Sequence, residues 1–152
     1  MKGQTAVEYL MTYGWAILII LIVAGVLAYY GIFAPQGFLG PTARGFGQVQ
    51  VLNPWSLSLI GHLTLNIENR VGGTINVTKV NASVDGSYYS FTLTPQIQIT
   101  SGQHSIVSGT FSPALPTHGV GDTYTSTVTI YYTYPPGVST FTSTGTLSGT
   151  YS

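Results

Sequence analysis

Residues Ala16 to Tyr30 read AILIILIVAGVLAYY, and this run, aliphatic until its closing tyrosines, decides what kind of molecule the chain is. It sits inside a longer stretch, Tyr9 to Ala43, that holds no Asp, Glu, Lys or Arg. An apolar stretch of ~18 or more residues reads as a membrane-spanning helix. A helix from about Thr5 to Phe33 is roughly 43 Å long at ~1.5 Å per residue, more than a hydrocarbon core of ~30 Å requires. Two charges stand at its front end, Lys2 and Glu8, separated only by Gly3 to Val7.

A secretory signal peptide has a shorter apolar core, followed by small residues spaced A-x-A. Here the run is too long, and Ala24, Ala28, Ala34 and Ala43 never take that spacing. If the chain is cut, the chemistry points to the other end, where Lys2-Gly3-Gln4 offers a small flexible residue just before the helix, and such a cut leaves the apolar segment on the mature chain. Gly14 and Gly25 lie inside the helix at about 1 kcal/mol each relative to Ala. At ~100° per residue they fall within about 20° of one face, with Ala28 on roughly the same stripe, where a second helix can approach closely. Glu8 near a helix start gains about 0.3–1 kcal/mol from the macrodipole. Deep in a bilayer or a helical bundle an acidic residue costs about 2.5 kcal/mol or more and requires a cation. A cut after Gly3 creates one, the α-amino group of Gln4, and the amine of one subunit can meet Glu8 of its neighbour when helices stagger.

The segment KGQTAVEYLMTYGWAILIILIVAGVLAYYGIF resembles the class III signal peptide and assembly helix of archaeal type IV pilins. The likeness rests on glycine before the cut, Gln4 directly after it, then Glu8, Tyr9 and Leu10 and an uninterrupted apolar helix. The leader carries a single basic residue, Lys2, where many family members carry two or more. Archaellins share the processing route but usually lack a glutamate at this place. The resemblance implies that a membrane prepilin peptidase cuts between Gly3 and Gln4. It also implies that an assembly ATPase and a platform protein extract the subunit, and that the helices bundle into the core of an extracellular filament. Glu8 is then the assembly glutamate, and the partner is the chain itself as a helical homopolymer. The membrane holds the precursor and adhesion is the use. The alternative is a single-pass, N-in anchor presenting a cell-surface adhesion or binding domain, for which Gly3-Gln4 and Glu8 have no purpose.

The remaining composition narrows the field. Of 152 residues only 5% are charged, with net charge zero, so no basic face collects phosphates and nucleic acid is not an expected ligand. Cysteine is absent, so packing and strand pairing alone must hold the head together. The expected organisation is a leader at 1–3, a hydrophobic helix at 4–33, a Pro/Gly linker at 34–46 and a head at 47–152, with Ala34-Pro35 ending the helix. The head shows eight candidate strands: Gly47–Leu52, Ser56–Glu68, Thr74–Val84, Ser87–Thr94, Gln96–Thr100, His104–Phe111, Thr123–Tyr134 and Ser139–Tyr151. Leu63, Leu65 and Ile67 alternate with polar residues, as do Val128, Ile130, Tyr132 and Tyr134. In Thr74–Val84 the apolar phase shifts from Ile75 and Val77 to Val80, Ala82 and Val84, which predicts a bulge near Thr78-Lys79. Gly72-Gly73, Asp85-Gly86, Ser101-Gly102 and Pro135-Pro136-Gly137 read as turns joining antiparallel neighbours. The predicted fold class is α+β: a long hydrophobic helix, then an all-β immunoglobulin-like sandwich of seven or eight antiparallel strands.

Asn76-Val77-Thr78 and Asn81-Ala82-Ser83 are candidate N-glycosylation sites, Asn76 and Asn81. Thr140–Ser152 offers hydroxyls either for O-linked sugar or for an outward strand face. Enzymatic chemistry finds no motif. His62, His104 and His118 lack ligand spacing, the head's carboxylates Glu68, Asp85 and Asp122 are scattered, and no G-x-S-x-G elbow occurs, so no catalytic residue, metal or cofactor is expected. Tyr88, Tyr89, Tyr124, Tyr131, Tyr132 and Tyr134 are assigned to core and cross-strand packing. Tyr9, Tyr13 and Trp15, and Tyr29 with Tyr30, suit interfacial belts at the two ends of a span.

Overall fold

The computed structural model describes residues 2–30, 40–137 and 139–152. They divide into two compact units, Met1–Phe38 and Leu39–Ser152.

The first unit is helix α1, Lys2–Tyr29. Ala, Leu and Met favour it, and its β-branched Ile, Val and Thr cost only tenths of a kcal/mol each. It begins within the leader rather than after it, so Gly3 and Gln4 lie in its first turn. The last residues of the expected helix, and the stop at Ala34-Pro35, lie outside the described residues.

The second unit is a β-sandwich. Its strands are β1 Thr42–Arg44, β2 Val49–Leu57, β3 His62–Asn69, β4 Ile75–Val84, β5 Ser87–Ile99, β6 His104–Thr110, β7 Thr123–Thr133 and β8 Thr140–Thr150. They form a five-stranded sheet, β1-β8-β7-β4-β5, and a three-stranded sheet, β2-β3-β6. Every described pairing is antiparallel. The predicted α+β chain with a two-sheet antiparallel head is therefore the fold observed. In chain order the second and third strands pair within one sheet, whereas in immunoglobulin constant domains strands B and C lie in opposite sheets.

The alternation expected of the core strands is realised. Leu63, Leu65 and Ile67 on β3 and Val128 and Ile130 on β7 are all buried, each worth about 1.5–3 kcal/mol relative to exposure. On β4, Ile75 and Val77 and then Val80, Ala82 and Val84 face inward, with the register shifting between Val77 and Lys79. The bulge read from the phase change is present. Its second half is on β5, where Val77 faces Ile97 but Lys79 faces Thr92, so the chain around Pro95 swells out of the ladder.

Several boundaries differ from expectation, among them the strand expected at Ser56–Glu68, which a turn divides between β2 and β3. Asn53-Pro54 does not end a strand: β2 passes through it by a register shift between Leu52 and Ser56 and continues to Leu57. The turn comes later, where the Gly61 N–H donates to the Ser58 carbonyl at 2.9 Å and Gly61 takes a positive φ of 78°. Pro95 does not split β5, because β5 is an edge strand, where a missing N–H interrupts no ladder. Gly72-Gly73 and Ser101-Gly102 do not close hairpins; each carries the chain from one sheet to the other. Asp85-Gly86 and Pro135-Pro136-Gly137 do join paired neighbours, β4 to β5 and β7 to β8. Three residues of the Pro/Gly stretch, Thr42–Arg44, pair with β8 as its outer neighbour.

Candidate functional site

The residues singled out at the amino end share α1. Gly3, Gln4 and Glu8 are exposed on it, Gly14 is half-exposed, and Gly25 and Ala28 are exposed. Glu8 is the seventh residue of a helix starting at Lys2, beyond the first turn over which the macrodipole is felt. Its backbone carbonyl accepts a bond from the Thr12 hydroxyl at 2.8 Å. The helix dipole therefore gives little account of a carboxylate at this place.

The helix is apolar on all sides, and the whole of its most apolar stretch within Gly3–Tyr29 is unburied. Leu18, Ile20, Leu21 and Ile22 each expose more than half of their surface. A helix hydrophobic all round belongs in lipid or among other helices. By length and composition this one is able to cross a membrane. A methyl group built on Gly14 or Gly25 meets nothing within 4 Å. Among the described residues of this unit, none uses the room these glycines leave. Tyr9 and Tyr13 contact each other at 4.6 Å between centroids near one end, and Tyr29 and Tyr30 meet edge to face at 5.6 Å at the other.

Asn76 and Asn81 both lie on β4. A separation of five residues puts two side chains on opposite faces of a regular strand. The bulge at Thr78 adds the extra residue that turns both to the outer face of the five-stranded sheet. Thr78 itself is held there, its hydroxyl donating to the Tyr131 carbonyl at 3.2 Å. The two asparagines differ: the Asn81 amide nitrogen donates to the Tyr131 phenol oxygen at 3.2 Å, and the Asn81 Oδ1 is buried without a partner.

That outer face is a lattice of hydroxyls. Across β7 and β8 the facing pairs include Thr123 with Thr150, Thr125 with Ser148, Thr127 with Thr146 and Thr129 with Thr144. Two of these pairs are bonded, Thr125 to Ser148 at 3.2 Å and Thr129 to Thr144 at 3.0 Å. A basin of about 250 Å³ opens in the same face, lined by Asn81, Ser83, Tyr88, Thr127, Thr129 and Tyr131. The sequence shows the threonine alternation but not this basin, because its residues come from three strands.

The tyrosines divide by position. Tyr89, Tyr124 and Tyr132 are buried and Tyr134 packs against the core, whereas Tyr88 is 81% exposed. His118 stacks on Tyr151 at 4.4 Å, its Nε2 3.8 Å from an Asp85 oxygen, while His62 bonds Thr110 through Nδ1 at 3.0 Å. Among the described residues no three His, Asp or Glu side chains gather as a metal-binding group. Compared with protein-family models and with curated proteins, the sequence matches none.

Proposed function

We propose that this chain is the structural subunit of an archaeal type IV pilus, made as a membrane precursor, cut between Gly3 and Gln4, and polymerised through α1 into an extracellular adhesive filament. The observation that carries the reading is α1 itself: an apolar helix, unburied along its length, with a carboxylate at Glu8 and unoccupied room at Gly14 and Gly25. A plain anchor needs the first feature and not the others.

Leaving lipid for a bundle exchanges one apolar medium for another, so the hydrophobic effect contributes little to assembly. Close packing and polar contacts must decide it. Gly14, Gly25 and Ala28 supply the packing surface. The new α-amino group of Gln4 supplies the cation for Glu8, which couples cutting to assembly: an uncut subunit has no ammonium at Gln4 itself, its Lys2 and its own α-amine lying further along the leader. The prepilin peptidase, the assembly ATPase and the platform protein are the partners this route requires. A head rich in hydroxyls and short of charge suits dense packing on a filament exterior, where like-charge repulsion would oppose close neighbours.

The test compares wild type with Glu8→Ala and Glu8→Gln in the source organism. Loss or strong reduction of filaments with a folded head supports the reading. Normal filament yield from Glu8→Ala would falsify the role given to that carboxylate, and an uncut chain found only as a membrane-bound monomer identifies a single-pass anchor instead.

A further inference from the structure

We propose that the outer face of the five-stranded sheet carries a binding site for a neutral saccharide, floored by Asn81, Ser83, Thr127 and Thr129 and bounded at opposite corners by Tyr88 and Tyr131. The site belongs to the head alone and does not rest on the filament reading.

The strand register sets its dimensions. Ser83 lies between Tyr88 and Thr127, Asn81 between Ser90 and Thr129, and Lys79 between Thr92 and Tyr131. Tyr88 and Tyr131 are thus two strands and four residues apart, roughly 16 Å between backbones at ~4.8 Å per strand and ~3.4 Å per residue. The basin between them, about 250 Å³, is several times the ~30 Å³ share of one water. It has room for sugar rings.

Its chemistry selects the ligand class. The floor offers amide and hydroxyl groups and no charge, matching a polyol. Asn81 fixes the Tyr131 phenol at the edge of the floor, its amide nitrogen donating to the phenol oxygen at 3.2 Å, while its own Oδ1 is buried beneath the floor and is not a ligand contact. Tyr131 accepts the Asn81 amide at its phenol oxygen, leaving its own O–H free to donate. Tyr88, 81% exposed, presents a ring whose negative face suits the C–H side of a pyranose. Phosphate ligands are disfavoured: the nearby cation, Lys79, has its ammonium 5.9 Å from the centre of the Tyr131 ring, and no second cation lines the basin. An extended peptide is disfavoured too, since a sheet face presents no free backbone groups for strand addition.

Such a ring has two sources, a glycan on another surface or a sugar linked to Asn76 on the same strand. The test titrates the full-length chain, made in a host without N-glycosylation and held in a detergent without a sugar headgroup, with N,N′-diacetylchitobiose and with mannobiose. NMR amide shifts give the readout. The proposal predicts saturable shifts at Thr127, Thr129 and the Asn81 side-chain amide with at least one sugar, half-complete in the millimolar range. Tyr131→Ala and Asn81→Ala weaken binding by about tenfold or more, equivalent to ~1.4 kcal/mol. The exposed-site variant Tyr88→Ala, which leaves the core untouched, weakens it as well, and Ile106→Ala on the other sheet leaves it unchanged. Absence of saturable shifts with both sugars, or shifts indifferent to Tyr88→Ala and Asn81→Ala, overturns the proposal. In material from a glycosylating host, binding restored only by Asn76→Gln identifies the chain's own sugar as the occupant, and equal binding with and without that change identifies an outside glycan. A saccharide attached to Asn81 itself overturns the assignment, because the amide that fixes the Tyr131 phenol is then its anchor.

Discussion

The indole nitrogen of Trp55 donates to the phenol oxygen of Tyr124 at 3.2 Å, a buried bond from β2 in one sheet to β7 in the other. Both rings belong to the core, and burial raises the Tyr124 pKa while the bond from Trp55 opposes the rise. Because the donor is out of water, removing its acceptor strands an N–H. Tyr124→Phe is expected to lower stability by about 1–3 kcal/mol in urea unfolding, and the double variant Trp55→Phe/Tyr124→Phe by less than the sum of the single changes.

Asn69 closes β3 from the inside. Fully buried, it donates from Nδ2 to the Gly73 carbonyl at 2.8 Å and the Ile99 carbonyl at 2.9 Å, and accepts the Val71 N–H at 2.9 Å. These bonds tie the start of the Gly72-Gly73 crossover to the end of β5. Asn69→Ala leaves three backbone groups without their partner, and thermal unfolding should show a loss of about 3 kcal/mol or more. Asn69→Asp should be no better, since a carboxylate facing two carbonyl oxygens has nothing to donate to them.

Tyr151 gives the head an alkaline limit. Its ring packs between His118 at 4.4 Å and Tyr124 at 5.1 Å, and its hydroxyl is buried with no bonding partner. Burial first, then the nearby Asp85 carboxylate, pushes its pKa from 10.0 up to about 12. Above about pH 10 the unfolded chain releases this proton while the native chain keeps it, so stability falls as pH rises toward about 12. Burial shifts Tyr124 and Tyr132 the same way. Tyr151→Phe should flatten the alkaline limb of a stability–pH curve, and at neutral pH it should be neutral or stabilising, because it removes an unsatisfied hydroxyl.

On β8 the residues between the outward threonines are small where rings must fit. A methyl group built on Gly145 falls 2.5 Å from the Phe46 ring and 2.6 Å from the Arg44 carbonyl oxygen, which is backbone of β1 and cannot swing aside. Gly145→Ala should cost about 1–3 kcal/mol and loosen β1 from the sheet, read as faster amide exchange at Thr42–Arg44.

What was legible in the sequence, and what was not, follows from where the physical constraints act. Leu63, Leu65 and Ile67 announce β3 because one sheet face is buried and the other wet, and the phase slip between Val77 and Val80 announces the bulge for the same reason. Thr42–Arg44 gives no such signal: three half-exposed or exposed residues between glycines and proline become a strand only because β8 offers an edge. The continuity of β2 through Pro54 and of β5 through Pro95 is likewise decided by edge positions that local composition does not reveal. The placement of Gln4, Glu8, Gly14, Gly25 and Ala28 on one helix was readable from hydropathy, whereas Gly3, read as the end of a leader, is already helical because a short polar lead-in carries no stop signal. The saccharide basin was not, since it depends on the register among β4, β5 and β7.

The most direct measurement is the intact mass of the polypeptide in filaments sheared from the cell surface and collected by sedimentation. The account predicts fibres that contain this chain without Met1, Lys2 and Gly3, beginning at Gln4, and few or none containing the Glu8→Ala variant. A chain that keeps Met1 through Gly3, recovered only from the membrane fraction as single particles, would contradict it.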